Sequence, residues 1–175
     1  ITFTGDVGSI GGYAFQSCSS LNNVTFLGNL TSIGYCAFEY CYNLIEITFT
    51  GDVGSIGGYA FQSCISLNNL TFLGNLTSIE YSAFRYCRHL IEISFIGDVD
   101  LIRESAFQWC SRLNNVTFLG KLTSIEYFAF QNCDYLIEIT FTGDVGSIYP
   151  CAFRNCSRLN NATFLRNLTY IGESA

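Results

Sequence analysis

Three glutamates, Glu46, Glu92 and Glu138, recur 46 residues apart, and four aspartates, Asp6, Asp52, Asp98 and Asp144, recur at the same interval. Carboxylates in a fixed relation are the first groups to test for general acid–base work or calcium. Nine cysteines come next: seven of them, Cys18, Cys41, Cys64, Cys87, Cys110, Cys133 and Cys156, stand 23 residues apart, and Cys36 and Cys151 are extra. His89 is the only histidine. It has no evident acid partner or nucleophile, so no catalytic constellation forms around it. With one histidine and no C-x-x-C pair there is no zinc ligand set.

The elements that carry these groups are copies of one unit. A period of 23 residues runs through the chain, with full copies starting at 1, 24, 47, 70, 93, 116 and 139 and a partial copy at 162. Positions within a copy are called slots one to twenty-three. Slot one is aliphatic except for Ala162, slot three is Phe in every copy and slot seven alternates Val with Leu. Slot ten is always Ile, slots fourteen and fifteen read Ala-Phe, slot eighteen is Cys and slot twenty-one is Leu. Apolar, polar, apolar over slots one to three is a half-buried strand. The same strand one copy away would pair with it in a parallel sheet with rungs ~4.8 Å apart. A turn follows, with glycine at slot five, as in Gly28 and Gly51; such a glycine predicts positive φ or a close backbone approach. The spacing Ile10, Ala14, Phe15, Cys18 then predicts a short helical return. One copy cannot bury its own apolar face, so burial and strand bonds must come from its neighbours.

The array settles most of the chemistry. The glutamates fall two rungs apart, ~10 Å, too far to share a calcium ion or to work as an acid–base pair in one site. The aspartates fall in the turn and read as solvated carboxylates. Slot-eighteen cysteines stack in one buried row, with Cβ atoms at least ~4.8 Å apart, against ~3.8 Å in a disulfide. They are expected to be reduced thiols behaving as small hydrophobes. Trp109 and Pro150 sit at variable positions of the return and read as surface decoration.

Composition bounds the rest. Net charge is −6, with no Lys or Arg before Arg85, which argues against nucleic acid as a partner. Arg85, Arg88, Arg112, Arg154 and Arg158 fall at slots sixteen to twenty, on the expected back, and read as a solvated face. No apolar run reaches transmembrane length. The chain is read as one array over 1–175, a fragment of a longer one. Its end rungs are expected to fray or to associate end to end.

The motif S-I-x-x-x-A-F-x-x-C-x-x-L, present as Ser32-Ile33, Ala37-Phe38, Cys41 and Leu44, resembles the BspA-like, or Treponema-type, leucine-rich repeat. The resemblance covers the whole chain. It departs from the family where Thr4, Leu27, Ile96 or Leu119 follows the strand in place of Pro. It implies an α/β solenoid, a leucine-rich-repeat arc with one parallel sheet on the concave face and helical returns on the convex face. It also implies surface proteins of host-associated bacteria and protozoa, often adhesins.

The expected function is therefore a non-catalytic binding array, needing no cofactor or metal, at the cell surface or outside the cell. Its ligand would be a protein or glycan held on the concave face. Candidate binding residues are Glu46, Thr48, Asn69, Thr71, Glu92, Ser94, Asn115, Thr117 and Glu138, from slots twenty-three and two of the central copies. A cytoplasmic scaffold for protein–protein interaction is the alternative, since reduced thiols fit that compartment. Sequons at Asn23, Asn69, Asn115 and Asn161 lie on the same face, and glycans there would obstruct it.

Overall fold

The computed structural model describes every residue, Ile1–Ala175. Each copy contributes two short strands, not one. The first set is β1 (Thr2–Phe3), β3 (Asn23–Phe26), β5 (Glu46–Phe49), β7 (Asn69–Phe72), β9 (Glu92–Phe95), β11 (Asn115–Phe118), β13 (Glu138–Phe141) and β15 (Asn161–Phe164). The second is β2 (Val7–Ile10), β4 (Leu30–Ile33), β6 (Val53–Ile56), β8 (Leu76–Ile79), β10 (Val99–Ile102), β12 (Leu122–Ile125), β14 (Val145–Ile148) and β16 (Leu168–Ile171). Each set forms one eight-stranded parallel sheet in copy order. Like slots face like slots, as in Phe49 opposite Phe72 and Ile56 opposite Ile79. The molecule is a parallel β-solenoid.

The second sheet was not legible as a strand because it buries only its ends. Val53 and Ile56 point inward while Gly54 and Ser55 stay half-buried between them. Slots one and three of the first sheet, seven and ten of the second, and fourteen, fifteen, eighteen and twenty-one of the return fill a single core. Phenylalanine rings stack through it in two ladders. Neighbouring rings stand 4.7 to 5.3 Å apart at slot three and 4.9 to 5.2 Å apart at slot fifteen. Front and back therefore advance equally along the array.

The expected helical returns are absent: slots eleven to twenty are a chain of turns. Backbone bonding shows why. In the third copy the amides of Ala60, Gln62 and Cys64 donate within the copy, to Gly57, Tyr59 and Phe61. Those of Tyr59, Phe61 and Ser63 donate to Tyr81, Ala83 and Arg85 of the next copy. A helix would keep all six inside the copy; here every second amide extends the ladder. Turning it outward requires φ near +60° at slots thirteen and seventeen, seen at Tyr59, Ser63, Ser82 and Tyr86 among others. Left-handed residues cost about 1–2 kcal/mol each, and the inter-copy bonds offset that. None of these residues is glycine and none is β-branched. The apolar spacing at slots ten, fourteen, fifteen and eighteen is thus a property of the turn chain, which helical periodicity mimics.

Slot-five glycine is a matter of close approach, since no glycine has positive φ. A Cβ on Gly51 would lie 2.8 Å from the carbonyl carbon of Gly28 and 2.7 Å from Asn29 Oδ1. That closeness serves slot six. The Asn29 amide donates to Asp6 Oδ1 at 2.7 Å, Asp52 to Asn29 Oδ1 at 2.9 Å and Asn75 to Asp52 Oδ1 at 2.8 Å. The turn aspartates are exposed as expected, but all four, Asp6, Asp52, Asp98 and Asp144, are structural acceptors in this ladder. Asp144 accepts from the Asn167 amide at 3.3 Å.

All nine cysteines are free. Five of the seven in slot eighteen, Cys41 to Cys133, are buried; Cys18 on the first rung is exposed and Cys156 half-buried, which corrects the expectation of a uniformly buried row. From Cys41 to Cys156 each slot-eighteen thiol donates to the slot-fifteen carbonyl of the copy before, as Cys64 Sγ does to Phe38 O at 3.2 Å. Burial pushes the Cys41 thiol up to about 11 and holds Cys64, Cys87 and Cys133 well above their usual value.

Candidate functional site

The outer face of the first sheet carries slots twenty-three, two and four. Strand alternation puts them there, because slots one and three point into the core. The nine candidate residues occupy five adjacent strands, β5 to β13. They make two straight rows. Glu46, Asn69, Glu92, Asn115 and Glu138 form one, and Thr48, Thr71, Ser94 and Thr117 the other. Glu46, Asn69 and Glu92 are exposed; the other six are half-buried. The face thus brings all nine together, as parallel rows.

Alternation of Glu with Asn in the first row has an electrostatic reason. Carboxylates on successive rungs would lie ~4.8 Å apart and repel. An interposed carboxamide doubles the distance and can donate to its neighbour. Asn161 Nδ2 does so to Glu138 Oε1 at 3.0 Å. The same logic alternates Asp and Asn along slot six, with Lys121 the one exception.

Apolar side chains flank the polar rows, on successive rungs at slot four and on alternate rungs, alternating with Asn68 and Asn114, at slot twenty-two. At slot four, Leu73, Ile96 and Leu119 are 49%, 40% and 46% exposed, on three successive rungs whose amides bond to Phe49, Phe72 and Phe95. Elsewhere slot four alternates Leu with Thr, and Thr50 and Thr142 turn their hydroxyls onto the carbonyls of Leu27 and Leu119. At slot twenty-two, Ile45, Ile91 and Ile137 are also exposed. These rows were not among the candidate residues. The signal for the first is Ile96, which breaks the alternation of slot four; slot twenty-two gave none, because an apolar residue just before a strand reads as core.

No basic residue stands on these rows, so the face is acidic with apolar margins. It holds no cavity: both concavities of the molecule lie on the return. His89 is exposed, its ring nitrogen 2.7 Å from the carbonyl of Ile65. No group of three or more His, Cys, Asp or Glu side chains is placed to hold a metal ion.

The family model for the BspA type leucine rich repeat region, in six copies, matches residues 1–113 and 78–175. The chain belongs to the BspA-type leucine-rich repeat family. The chain is also similar to solved structures of leucine-rich repeat proteins. A leucine-rich repeat protein of T. pallidum is 24% identical, covers 88% of this chain and 72% of its own, and superposes with a TM-score of 0.68. That likeness shows the leucine-rich-repeat fold. A leucine rich cell surface protein of Faecalibacterium prausnitzii A2-165 is 19% identical over 94% of this chain and 69% of its own, with a TM-score of 0.36. A leucine-rich repeat protein of Bacteroides ovatus ATCC 8483 is 16% identical over 95% and 78%, with a TM-score of 0.26. No curated protein matches the chain. As a BspA-type repeat array it is suited to protein binding. No helix is long and apolar enough to cross a membrane, which leaves β-barrel spans unaddressed.

Proposed function

We propose that this BspA-type array is a non-catalytic, adhesin-type binding protein displayed at the cell surface or outside the cell. It engages a host or matrix protein through the outer face of its first sheet. The observation that carries this reading is the unbroken apolar row Leu73, Ile96, Leu119 beside the Thr–Ser row, with the Asn–Glu row beyond it, at the centre of the array. Exposed apolar side chains at the middle of a face, rimmed by polar groups, are the anatomy of a protein contact. Because the only charges of the row are Glu46, Glu92 and Glu138, the partner surface is basic with apolar tips. The reduced thiols do not favour a cytoplasmic scaffold. A buried thiol donating to a carbonyl in a row whose members cannot pair stays reduced in any compartment.

The test is binding of the purified chain to immobilised extracellular-matrix proteins and to whole host cells. Thr71→Arg with Glu92→Arg should abolish capture and leave the circular dichroism spectrum unchanged. Capture undiminished in that double variant, but lost on substituting Arg112 and Arg158 of the return, would move the site to the opposite face.

A further inference from the structure

The return carries a second surface of different chemistry. Tyr13, Tyr35, Tyr59 and Tyr81 form a continuous edge-to-face stack, with ring centroids 5.5, 5.6 and 5.1 Å apart and planes 67°, 89° and 89° from one another. The arrangement follows from sequence. Copies one and three carry Tyr at slot thirteen and copies two and four at slot twelve, so neighbouring rings leave the backbone at different angles. Gly58 makes room for it: a Cβ there would lie 2.7 Å from the Tyr81 ring.

Beside the rings runs slot sixteen, Gln16, Glu39, Gln62, Arg85, Gln108, Gln131 and Arg154. Glu39 is only 7% exposed and accepts from Gln16 Nε2 at 2.9 Å and Gln62 Nε2 at 3.0 Å. Arg85 stacks 4.7 Å over the Tyr86 ring, yet its Nε is buried with no hydrogen-bond partner. Two cavities of about 440 and 480 Å³ open between the rings and this row, and both are lined by Tyr59 and Arg85. They adjoin at those two residues, end to end along the return, and together make the trench.

We propose that this trench docks a proline-rich segment of a partner protein in the polyproline II conformation. Three features fit that occupant. Aromatic-lined grooves are how proline-rich segments are held, because a preformed extended helix has little entropy to lose. The pitch agrees: each tyrosine slot recurs every second rung, ~9.6 Å, and polyproline II advances ~9.3 Å per turn. Its carbonyls have no internal bonds and need donors, which the side-chain amides of Gln108 and Gln131 and the guanidinium of Arg85, all lining the second cavity, supply. The surface is separate from the outer face of the first sheet, so it stands or falls independently of the proposed adhesive function.

The experiment is isothermal titration of the intact chain with an acetylated, amidated decaproline peptide. A glycine–serine decapeptide and cellohexaose serve as competing probes. Decaproline should bind saturably and the glycine–serine peptide should not. Tyr35→Ser with Tyr81→Ser should weaken binding at least tenfold without altering the circular dichroism spectrum; slot twelve tolerates the loss of the ring, since Gly12, Gly58 and Glu104 occupy it in other copies. Should that pair fail to fold, Arg85→Gln, which copies Gln62 and Gln108 on the adjacent rungs, should weaken binding severalfold. Failure of decaproline to saturate, equal binding of the glycine–serine peptide, saturation by cellohexaose alone, or full affinity in a folded variant would each overturn the proposal.

Discussion

Asn69→Glu is the sharpest probe of the front row. It would place three carboxylates, Glu46, residue 69 and Glu92, on successive rungs, because Asn69 is paired in register with both glutamates. Rungs are ~4.8 Å apart. Two unit charges at that distance in water repel by about 0.9 kcal/mol, so two neighbours cost about 2 kcal/mol at low salt. With a Debye length of ~8 Å at physiological salt the cost falls to about 1 kcal/mol. A chain of this size then melts about 2–4 °C lower. Like charges disfavour the ionised form in the folded state, so the new carboxyl titrates above its unfolded value. Its penalty is complete at neutral pH and disappears as pH falls below the usual carboxylate range. Thermal melts at pH 7 and pH 3, each at low and high salt, give the readout. A melting temperature equal to that of the unmutated chain at pH 7 would refute the account of the alternation. A deficit that persists at pH 3 and in high salt would assign it to packing instead of charge.

Four further outcomes are expected. Ser105, held at φ 58°, should gain about 0.5–1 kcal/mol on substitution by glycine, the relief of left-handed strain less glycine's entropic cost, whereas Ser105→Val should lose about 1–3 kcal/mol; denaturant midpoints check both. Native-state alkylation followed by mass spectrometry should label exposed Cys18 first and Cys64, Cys87, Cys110 and Cys133 last. Because burial raises Cys36 and Cys41 to about 11, the chain should also lose stability as pH rises from the ordinary thiol range towards 11, where unfolding releases thiolates; an alkaline denaturation profile flat to pH 11 would oppose this. Lys121 interrupts the slot-six ladder, its side chain offering no acceptor to the next copy, so Lys121→Asn should stabilise by about 0.5 kcal/mol, measured by thermal melting.

The repeat, the core slots and the rows of the front face were legible because a 23-residue period repeats each signal along the chain. Phe, Ile, Cys and Leu at fixed slots leave one way to stack. The second sheet and the turns were hidden for local reasons. Strands such as Val53–Ile56 have two half-buried residues between two buried ones, so they lack the period-two pattern of a half-buried strand. The left-handed positions carry Tyr, Ser, Cys, Trp, Phe and Asn, so the glycine that usually marks them is missing. Slot-four Leu73 and Leu119 stand 46 residues apart in sequence; it takes the register of β7, β9 and β11 to join them through Ile96. The tyrosine stack was invisible because its members alternate between two slots and no single column shows them.

Carboxyl footprinting of the bound chain addresses the function most directly. Once a matrix protein that captures the array is in hand, the complex and the free chain are coupled with carbodiimide and an amine, and labelling at each carboxylate is read by mass spectrometry. If the outer face of the first sheet is the binding surface, Glu46, Glu92 and Glu138 lose labelling in the complex while Glu104 and Asp134 on the return keep theirs. Unchanged labelling of the three glutamates, with protection at Glu104 and Asp134, would contradict it.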